Sequence, residues 1–478
     1  MNRPEIREQM RHQLSDKTLF EQAKAYAYDY MDSIFDKRVY PAPEAIKGLE
    51  IFNEPLPHTA SNPSDILELL HQYGSPATVA QTAGRYFGFV NGSSIPVSVA
   101  AKWLSDVWDQ NAALYVISPI ASKLEEVCEK WLVKLLGLPS ETAAGFVGGS
   151  STATLCGLAA GRNELLRKAG WEVSEKGLFG APNLRVVLGE QAHASVFKAL
   201  ALLGIGKDQL EKVPVDAQGR MLADKLPKLD SRTLVIIQAG NVNTGAFDPI
   251  EEICEKANQA GAWVHVDGAF GLWAAASKNR QYLVPGLHKA DSWSADAHKT
   301  LNAPYDCGII LCKRRDALVS ALQSTGSYIL YSENRDGMLY TPEMSRRARA
   351  VELWALLKYL GQQGLEELVD GLCERAKVFS EKLSANGFNL LNEVAYNQVL
   401  VSCSTPEITK ATLENIQNSG ECWCGGALWD GKPAIRISVC SWATSYEDID
   451  RSVSAFIKAR SIAQQQKEDS NEANTKNE

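Results

Sequence analysis

The sequence predicts an α/β protein in which a mainly parallel β-sheet is covered by helices. Three observations predict this fold class. Short apolar runs typical of buried strands alternate with helical segments through the middle of the chain. The length of 478 residues provides for two or three domains around a large core. Polar residues follow several of the strand-like runs, at the edge where such sheets bind ligands.

Residues 1–84 are predicted to form an N-terminal helical arm. Apolar side chains that include Leu19, Tyr26 and Ile34 recur at helical spacing between Thr18 and Phe35, and give one apolar stripe. The segment is short for a core of its own. An arm that packs on another subunit would cover the stripe, and folding back on its own chain is the alternative.

Residues 85–375 are predicted to form the large domain that carries the sheet. A helical region spans 100–136 and is interrupted at Ser118, and another helix spans 346–360. Residues 314–343 lack periodicity and are predicted to be a long loop. Four apolar runs are predicted strands: residues 184–189, 233–240, 262–269 and 308–313.

A smaller α+β domain is predicted for residues 376–463, followed by a disordered polar tail at 464–478. In the alternating run at 434–440, Ile435, Ile437 and Val439 share one face of a strand. Arg436 lies on the other face, where an arginine is usually solvated.

Composition excludes several classes of protein. The net charge of −8, without a basic patch, argues against a nucleic-acid partner. No apolar run approaches the ~18 residues of a membrane span, and the N-terminus lacks a secretory signal, so a cytoplasmic protein is expected. The ten cysteines are scattered. Cys422 and Cys424 form C-x-C, which is not a metal-knuckle spacing, so buried thiols and no metal site are predicted.

A lysine and an acid point to a cofactor. Lys299 lies in the stretch DSWSADAHKTLNAPYDCG at 291–308, directly after His298, and Asp267 lies in the preceding strand-like run. Pyridoxal phosphate needs a lysine for its imine and a carboxylate for its pyridine nitrogen. The pair therefore predicts this cofactor. His193, Asn241, Asp267 and Lys299 all fall at or near the carboxyl ends of predicted strands, and this shared placement strengthens the prediction.

A phosphate-binding turn is predicted at residues 145–162, GFVGGSSTATLCGLAAGR. Gly148 and Gly149 permit close approach, and Ser150 and Ser151 add hydroxyl donors at the start of a helix. Glycine and serine before a helix are also common caps, so this motif is weak by itself.

Together these residues resemble the group II pyridoxal phosphate-dependent amino-acid decarboxylases, the family of aromatic-L-amino-acid and glutamate decarboxylases. The most specific segments are QAHASVFKA at 191–199, HVDGA at 265–269 and DAHK at 296–299. The resemblance covers most of the chain. It implies the fold-type I, aminotransferase-like fold, and a homodimer with active sites at the subunit interface.

The resemblance also implies a role for each matching residue. Lys299 would carry the cofactor, Asp267 would pair with the pyridine nitrogen, and His193 would stack on the ring. Tyr328, on the predicted loop, would donate a proton with His193 nearby. The other implied cofactor contacts are Ala269, Ser150, Ser151 and His298, and Asn241 is added from its place near the end of a predicted strand. The implied substrate contacts are Tyr86, Phe87 and Arg436, and Tyr305 offers a further apolar wall.

Three positions depart from the family's pattern. Gly-Asn-Val at 240–242 stands where Gly-Thr-Thr is frequent, and Thr152 stands where an acid is frequent. Asp296 replaces a commoner neutral residue before the His-Lys pair. A carboxylate near a phosphate would be repelled unless it faces another donor.

The predicted activity is decarboxylation of an L-amino acid, with an aromatic substrate favoured. Arg436 could instead pair with an acidic or sulfinic side chain such as that of glutamate, aspartate or cysteine sulfinate. An aldehyde synthase, an aminotransferase and an inert scaffold are the alternatives. The presence of Tyr328 and His193 argues against the aldehyde synthase, in which one of the two is typically replaced.

Overall fold

In a computed structural model of the chain, residues 5–323 and 333–475 are described, and they form two compact units. The smaller unit contains the described parts of 1–86, 407–424 and 443–478, and the larger contains those of 87–406 and 425–442. The predicted boundary at residue 84 is close to the first of these divisions. The predicted boundary at 375 does not separate the units, because residues 376–406 stay with the larger one.

The described residues contain twelve strands in chain order. They are β1 Tyr86–Phe87, β2 Ala143–Val147, β3 Arg185–Gly189, β4 Leu210–Val213, β5 Thr233–Gln238, β6 Trp263–Asp267, β7 Ser292–Asp296, β8 Gly308–Cys312, β9 Asn389–Leu390, β10 Gln398–Ser402, β11 Trp423–Trp429 and β12 Lys432–Ser438.

The α-helices of the same residues number fourteen. They are α1 Ile6–Asp16, α2 Thr18–Ser33, α3 Pro43–Gly48, α4 Pro63–Leu69, α5 Pro96–Trp108, α6 Pro119–Leu135, α7 Ser150–Lys168, α8 Val173–Lys176, α9 Ala194–Leu202, α10 Ile250–Ala260, α11 Arg315–Leu322, α12 Ala350–Ala385, α13 Pro406–Ser419 and α14 Tyr446–Thr475. None of these helices is long and apolar enough to cross a membrane.

A seven-stranded sheet forms the centre of the larger unit, in the order β2-β8-β7-β6-β5-β3-β4. The pairs from β4 through β3, β5 and β6 to β7 are parallel, whereas β8 runs antiparallel to both β7 and β2. The prediction of a mainly parallel sheet covered by helices is confirmed. Because β3, β5, β6 and β7 are parallel, their carboxyl ends meet at one edge of the sheet.

Strand β7 was not among the predicted strands, because it lacks an apolar pattern. Its Ser292 and Ser294 belong to a buried polar seam beneath α7, which we define as Thr154, His265, Ser292 and Ser294. The hydroxyl oxygens of Thr154 and Ser294 lie 2.9 Å apart, and Nδ1 of His265 lies 2.8 Å from Oγ of Ser292. Burial lowers the pKa of His265 to about 3, so this imidazole is neutral.

Gly157 of α7 faces this polar seam at close range, and Gly157→Ala is expected to destabilise the fold. A Cβ at this position would lie 2.7 Å from the imidazole of His265. Overpacking of this kind costs about 1–3 kcal/mol. Urea denaturation should show that loss of unfolding free energy. Gly206→Ala is the control, since a Cβ there meets no atom within 4 Å. Equal effects of the two substitutions would contradict the expectation.

A second sheet is antiparallel and pairs β9 with β10, β10 with β12, and β12 with residues 425–429 of β11, all within the larger unit. Ile435, Ile437 and Val439 are fully buried, as their alternation predicts. Arg436 is only partly exposed, so it is not the solvated side chain that its position alone would suggest.

The smaller unit joins three separate parts of the chain. The buried guanidinium of Arg85 donates to the carbonyl of Glu421 (2.8 Å) and to the carboxylate of Asp448 (3.2 Å). The N–H of Val39 donates to the carbonyl of Gly420 (2.8 Å). These bonds explain why segments from both ends of the chain form one unit.

Three predicted segments differ from the observed structure. The predicted loop at 314–343 contains helix α11 and a short 3-10 turn at Gly337–Tyr340, and residues 324–332 within it lie outside the described residues. The predicted disordered tail continues helix α14 as far as Thr475. The helix predicted at 346–360 is interrupted at its predicted end, because Gly361 adopts φ 58° and ψ −172°. Beyond this kink, however, α12 continues to Ala385. All ten cysteines are buried free thiols, as predicted.

Candidate active site

The candidate site lies in the larger unit, where strands of the seven-stranded sheet reach their carboxyl ends. Asp267 ends β6, Asp296 ends β7, and Lys299 follows in the next turn. His193 comes between β3 and α9. The charges of Asp267, Lys299 and Arg436 all act on the pKa of His193, so these four predicted residues belong to one cluster. The sequence-based expectation that strand ends would converge here is met.

Lys299 is held by Asp296, the carboxylate that was expected to face another donor. Nζ of Lys299 lies 3.0 Å from Oδ2 of Asp296, whose side chain is almost fully buried. The same carboxylate accepts hydrogen bonds from the N–H of Ser150 (2.6 Å) and its hydroxyl (2.7 Å). Asp296 therefore joins the lysine to the first residue of α7.

Asp267 is a buried carboxylate with few partners. Its Oδ1 accepts the N–H of Ala269 at 3.3 Å, and this is the one hydrogen bond seen to the carboxylate among the described residues. Burial raises the pKa of Asp267, while the nearby His193 and Lys299 oppose that shift. A buried carboxylate with so little compensation suits a cationic partner such as a protonated ring nitrogen.

His193 is fixed as the N-cap of α9. Its Nδ1 accepts the N–H of Ser195 (3.2 Å) and lies 2.7 Å from the hydroxyl of the same residue. Part of the residue remains exposed to solvent. Desolvation by the surrounding protein lowers the pKa of His193, and Lys299 and Arg436 lower it further, whereas Asp267 opposes them. The imidazole is therefore neutral at pH 7, and one edge of the ring is held in place.

The predicted phosphate turn has the form of an anion site. Gly149 precedes the nineteen-residue helix α7, and the positive end of the helix lies there. The N–H of Ser150 is already donated to Asp296, whereas Ser151 is exposed. Gly148 lies beside Arg349, whose buried Nη1 finds no acceptor among the described residues. The other guanidinium nitrogens of Arg349 donate to Asp306 (3.1 and 3.2 Å). Serine hydroxyls, helix N–H groups and an unpaired guanidinium nitrogen fit a phosphate.

His298 is buried between the lysine turn and the next strand. Its Nδ1 accepts the N–H of Cys307 (3.1 Å), and its ring lies against Tyr305, with centroids 4.4 Å apart. Nε2 lies 3.6 Å from Oδ1 of Asp296. Burial lowers the pKa of His298 although Asp296 opposes it, so the ring is neutral. The predicted position near the phosphate turn agrees with this geometry.

Asn241 mainly builds a turn. Its Oδ1 accepts the N–H groups of Asn243 (2.9 Å) and Thr244 (3.3 Å), while the buried Nδ2 has no acceptor among the described residues. Asn243 in turn accepts Nη1 of Arg436 at 3.4 Å. Nε of Arg436 is buried and unpaired within the described chain, and burial lowers the pKa of this guanidinium.

The predicted substrate contacts are not equally accessible. Tyr305 is about half exposed, and its hydroxyl donates to Asn91 (2.9 Å). Phe87 is buried and packs edge-on against Phe379. Tyr86 belongs to the smaller unit, where it stacks on Trp423, and burial raises its pKa to about 12. The predicted proton donor, Tyr328, lies outside the described residues.

The expectation that Asp296 must face another donor is met by Ser150 and Lys299. The ion pair between Asp306 and Arg349 was missed, because 43 residues separate its members and neither has a distinctive motif. Only the fold brings this pair to Gly148.

Comparisons with known proteins assign the whole arrangement to one family. The family model described as the pyridoxal-dependent decarboxylase conserved domain matches residues 47–403. This range includes every predicted cofactor contact and excludes Arg436. It covers most of the chain, so the match rests on the large domain as a whole.

Two relatives and one solved structure represent the similarity. The chain is 28% identical to an aromatic-L-amino-acid decarboxylase of Bacillus atrophaeus, over 76% of this chain and 78% of the relative. It is 28% identical to an acidic amino acid decarboxylase of Mus musculus, over 68% of this chain and 60% of the relative. The structure of Oryza sativa TDC with PLP and tryptamine has a TM-score of 0.86 at 20% identity, covering 97% of this chain and 99% of that one.

Proposed function

The chain belongs to the pyridoxal-dependent decarboxylase family, and from that premise we propose that it converts an aromatic L-amino acid to the amine and carbon dioxide. It is a pyridoxal phosphate-dependent carboxy-lyase. The observation that carries the assignment of its site is the cluster of Lys299, Asp267 and His193 at the carboxyl edge of the sheet. In support of it, Asp267 is buried, Lys299 is paired with Asp296, and His193 is held by Ser195.

Some of the proposed residues would bind the cofactor, and one would stabilise the positive charge of its ring nitrogen. When bound, pyridoxal phosphate supplies the electron sink that allows the bond from Cα to the carboxylate to break. Lys299 would hold it covalently, and the first turn of α7 with Ser150 and Ser151 would hold its phosphate. The buried carboxylate of Asp267 would keep the ring nitrogen protonated, because two opposite charges each favour the ionised form of the other.

The proposed protonation step uses His193 and Tyr328. A neutral His193 can pass a proton, and its fixed Nδ1 leaves the other ring nitrogen for that task. Tyr328 is assigned as the donor to Cα from its match to the family's loop tyrosine. Ala269 and His298 are assigned as further cofactor contacts on the same basis, and Asn241 from its position just after β5.

The choice between an aromatic and an acidic substrate rests on two residues. Tyr305 presents an accessible aromatic ring at the site beside His298. Arg436 is partly exposed, and its buried Nε has no acceptor among the described residues, which favours an acidic or sulfinic side chain as the second candidate. Tyr86 and Phe87, which would line an aromatic pocket by family likeness, are buried against other rings. The proposal therefore depends most on Tyr305.

Release of labelled carbon dioxide tests the proposed function. The panel contains tyrosine, tryptophan, glutamate, aspartate and cysteine sulfinate, each labelled at the carboxyl carbon. We expect release from an aromatic substrate in preference to the three acidic ones. Release from none of the five would refute the decarboxylase. Hydrogen peroxide and ammonia, measured in the same reactions, would identify an aldehyde synthase, and consumption of a 2-oxo acid would identify an aminotransferase.

Substitution of Arg436 by glutamine should discriminate between side chains. Loss of a charge-assisted hydrogen bond to a carboxylate or sulfinate costs roughly 1.5–3 kcal/mol, or about 10- to 100-fold in kcat/KM. We expect that loss for acidic substrates and a change below about threefold for aromatic ones. Arg436→Lys is the control, since it keeps the charge. Equal losses for both classes of substrate would assign Arg436 to the α-carboxylate or to folding instead.

We also propose a cytoplasmic homodimer. The smaller unit leaves Ile6, Leu14 and Phe20 exposed along α1 and α2, at 70%, 64% and 50% of their surfaces. In the predicted stripe itself, by contrast, Ile34 is buried and Tyr26 stacks on His71 of the same chain, as the alternative of folding back would have it. The proposal therefore depends on the exposed apolar side chains, which are typical of helices that pack on a partner. Light scattering of the active protein at micromolar concentration should give twice the mass of one chain, and a fully active monomer would contradict the proposal.

A further inference from the structure

The carboxylate of Asp296 gathers donors from both sides of the candidate phosphate turn. The N–H and the hydroxyl of Ser150 contact it at 2.6 and 2.7 Å, and Nζ of Lys299 contacts it at 3.0 Å. His298 approaches it to 3.6 Å. Asp296 is 2% exposed, so its charge is compensated by these partners rather than by water.

The donors of Asp296 are the same kind that a phosphate would use. Ser150 is the first residue of α7, and N–H groups at the start of a long helix attract anions. The carboxylate of Asp296 already accepts one N–H and one hydroxyl at this end of the helix. It also places a negative charge next to any second anion, and charges in such a site are weakly screened.

The remaining charged groups around the turn do not remove the repulsion between Asp296 and a bound phosphate. On the other side, near Gly148, the charge of Arg349 is already shared with Asp306 through two nitrogens, and only its Nη1 has no acceptor among the described residues. A Cβ on Gly149 would lie 3.6 Å from both Oδ1 of Asp296 and the ring of His298, so the turn is in immediate contact with the carboxylate. Because His298 is neutral, Lys299 is the one cation among the described residues that contacts Asp296 directly.

We propose that Asp296 competes with the cofactor's phosphate for the N-terminal end of α7, and so weakens the preference of this protein for the phosphorylated cofactor. Asp296 is thus an affinity-setting residue, distinct from the groups that take part in the reaction. The proposal rests on the assignments of Lys299 and the phosphate turn made above. It predicts that a neutral side chain at 296 improves binding of pyridoxal phosphate but not of pyridoxal, which forms the same bond to lysine without a phosphate.

The test is a titration of the full-length protein, freed of cofactor, with each of the two aldehydes. Binding is followed by the absorbance of the lysine-bound aldehyde, so no turnover is needed. For Asp296→Asn we expect the ratio of the two affinities, pyridoxal phosphate over pyridoxal, to rise about tenfold, the effect of one nearby charge on an anion. Loss of the ion pair to Lys299 affects both aldehydes and cancels in the ratio.

Asp291→Asn is the matched control, because Asp291 is a partly buried carboxylate at the opposite end of β7 and accepts the N–H of Val264 (2.8 Å). It should leave the ratio unchanged. A rise of threefold or more for Asp296→Asn alone supports the proposal, and a smaller rise, a fall, or an equal rise in the control overturns it. If the asparagine variant does not fold, Asp296→Ser provides the same comparison. Absence of a lysine-bound band in the wild-type protein would instead refute the assignment of Lys299, which separates the two failures.

Discussion

Lys299→Ala is expected to abolish decarboxylation, with a fall in kcat of at least about 10³-fold. The reason is that no other lysine contacts the cluster formed by Asp267, His193 and Asp296 in the described structure. The absorbance band of the lysine-bound cofactor should vanish together with the activity. Spectra and release of labelled carbon dioxide, recorded on the same preparation, would check both expectations.

Lys289→Ala is a suitable control for that experiment. Lys289 belongs to the same unit and pairs with Glu251 (2.8 Å) and Glu255 (2.5 Å), so its removal also breaks ion pairs. It precedes β7, at the end of that strand opposite to Asp296 and Lys299, and its partners lie on α10. Both the band and the activity should survive in this variant. A Lys299→Ala protein that kept the band would show that another residue holds the cofactor.

Asp267→Asn is expected to lower kcat by about 10²- to 10³-fold, the usual cost of removing one preorganised charge from an active site. Asparagine keeps the shape and the acceptor for the N–H of Ala269, but cannot hold a ring nitrogen in its protonated form. Because burial raises the pKa of Asp267, the folded protein gains little from its charge. Thermal unfolding should therefore shift little, while steady-state kinetics show the loss.

Asp291→Asn again supplies the comparison. Burial raises the pKa of Asp291 to about 6, so the charged form of this carboxylate is also disfavoured in the folded protein. Asp291, however, lies at the far end of β7. Activity should stay within about threefold of the wild type. If Asp291→Asn and Asp267→Asn lost activity equally, the effect would come from the sheet rather than from a charge beside the cofactor.

Several parts of the fold could be predicted because the information is local. Strands β3, β5, β6 and β8 are short apolar runs between turns, and each was predicted to within two residues at either end. Strand β7 was missed because its serines face the polar seam instead of an apolar layer. Helix α11 was missed because its eight residues are too few to show a helical period against a polar background.

The candidate site, too, could be predicted from the sequence only in part. Lys299, Asp267 and His193 could be named from the sequence, since a lysine, an acid and a histidine at successive strand ends must meet at one edge of a parallel sheet. The burial of Phe87 against Phe379 and of Tyr86 against Trp423 could not be foreseen, because each pair joins residues more than 290 positions apart. Their assignment as substrate contacts remains a proposal.

By itself, the sequence determined the fold class, the cofactor and the residues that meet at the edge of the sheet, because alternation of strands and helices imposes that convergence. Only the tertiary structure decided what Asp296 does. Its carboxylate meets Ser150, a residue 146 positions away, and Lys299 in one buried site. Whether a buried charge repels or is compensated depends on distances of a few ångströms between distant segments, and packing alone sets those distances.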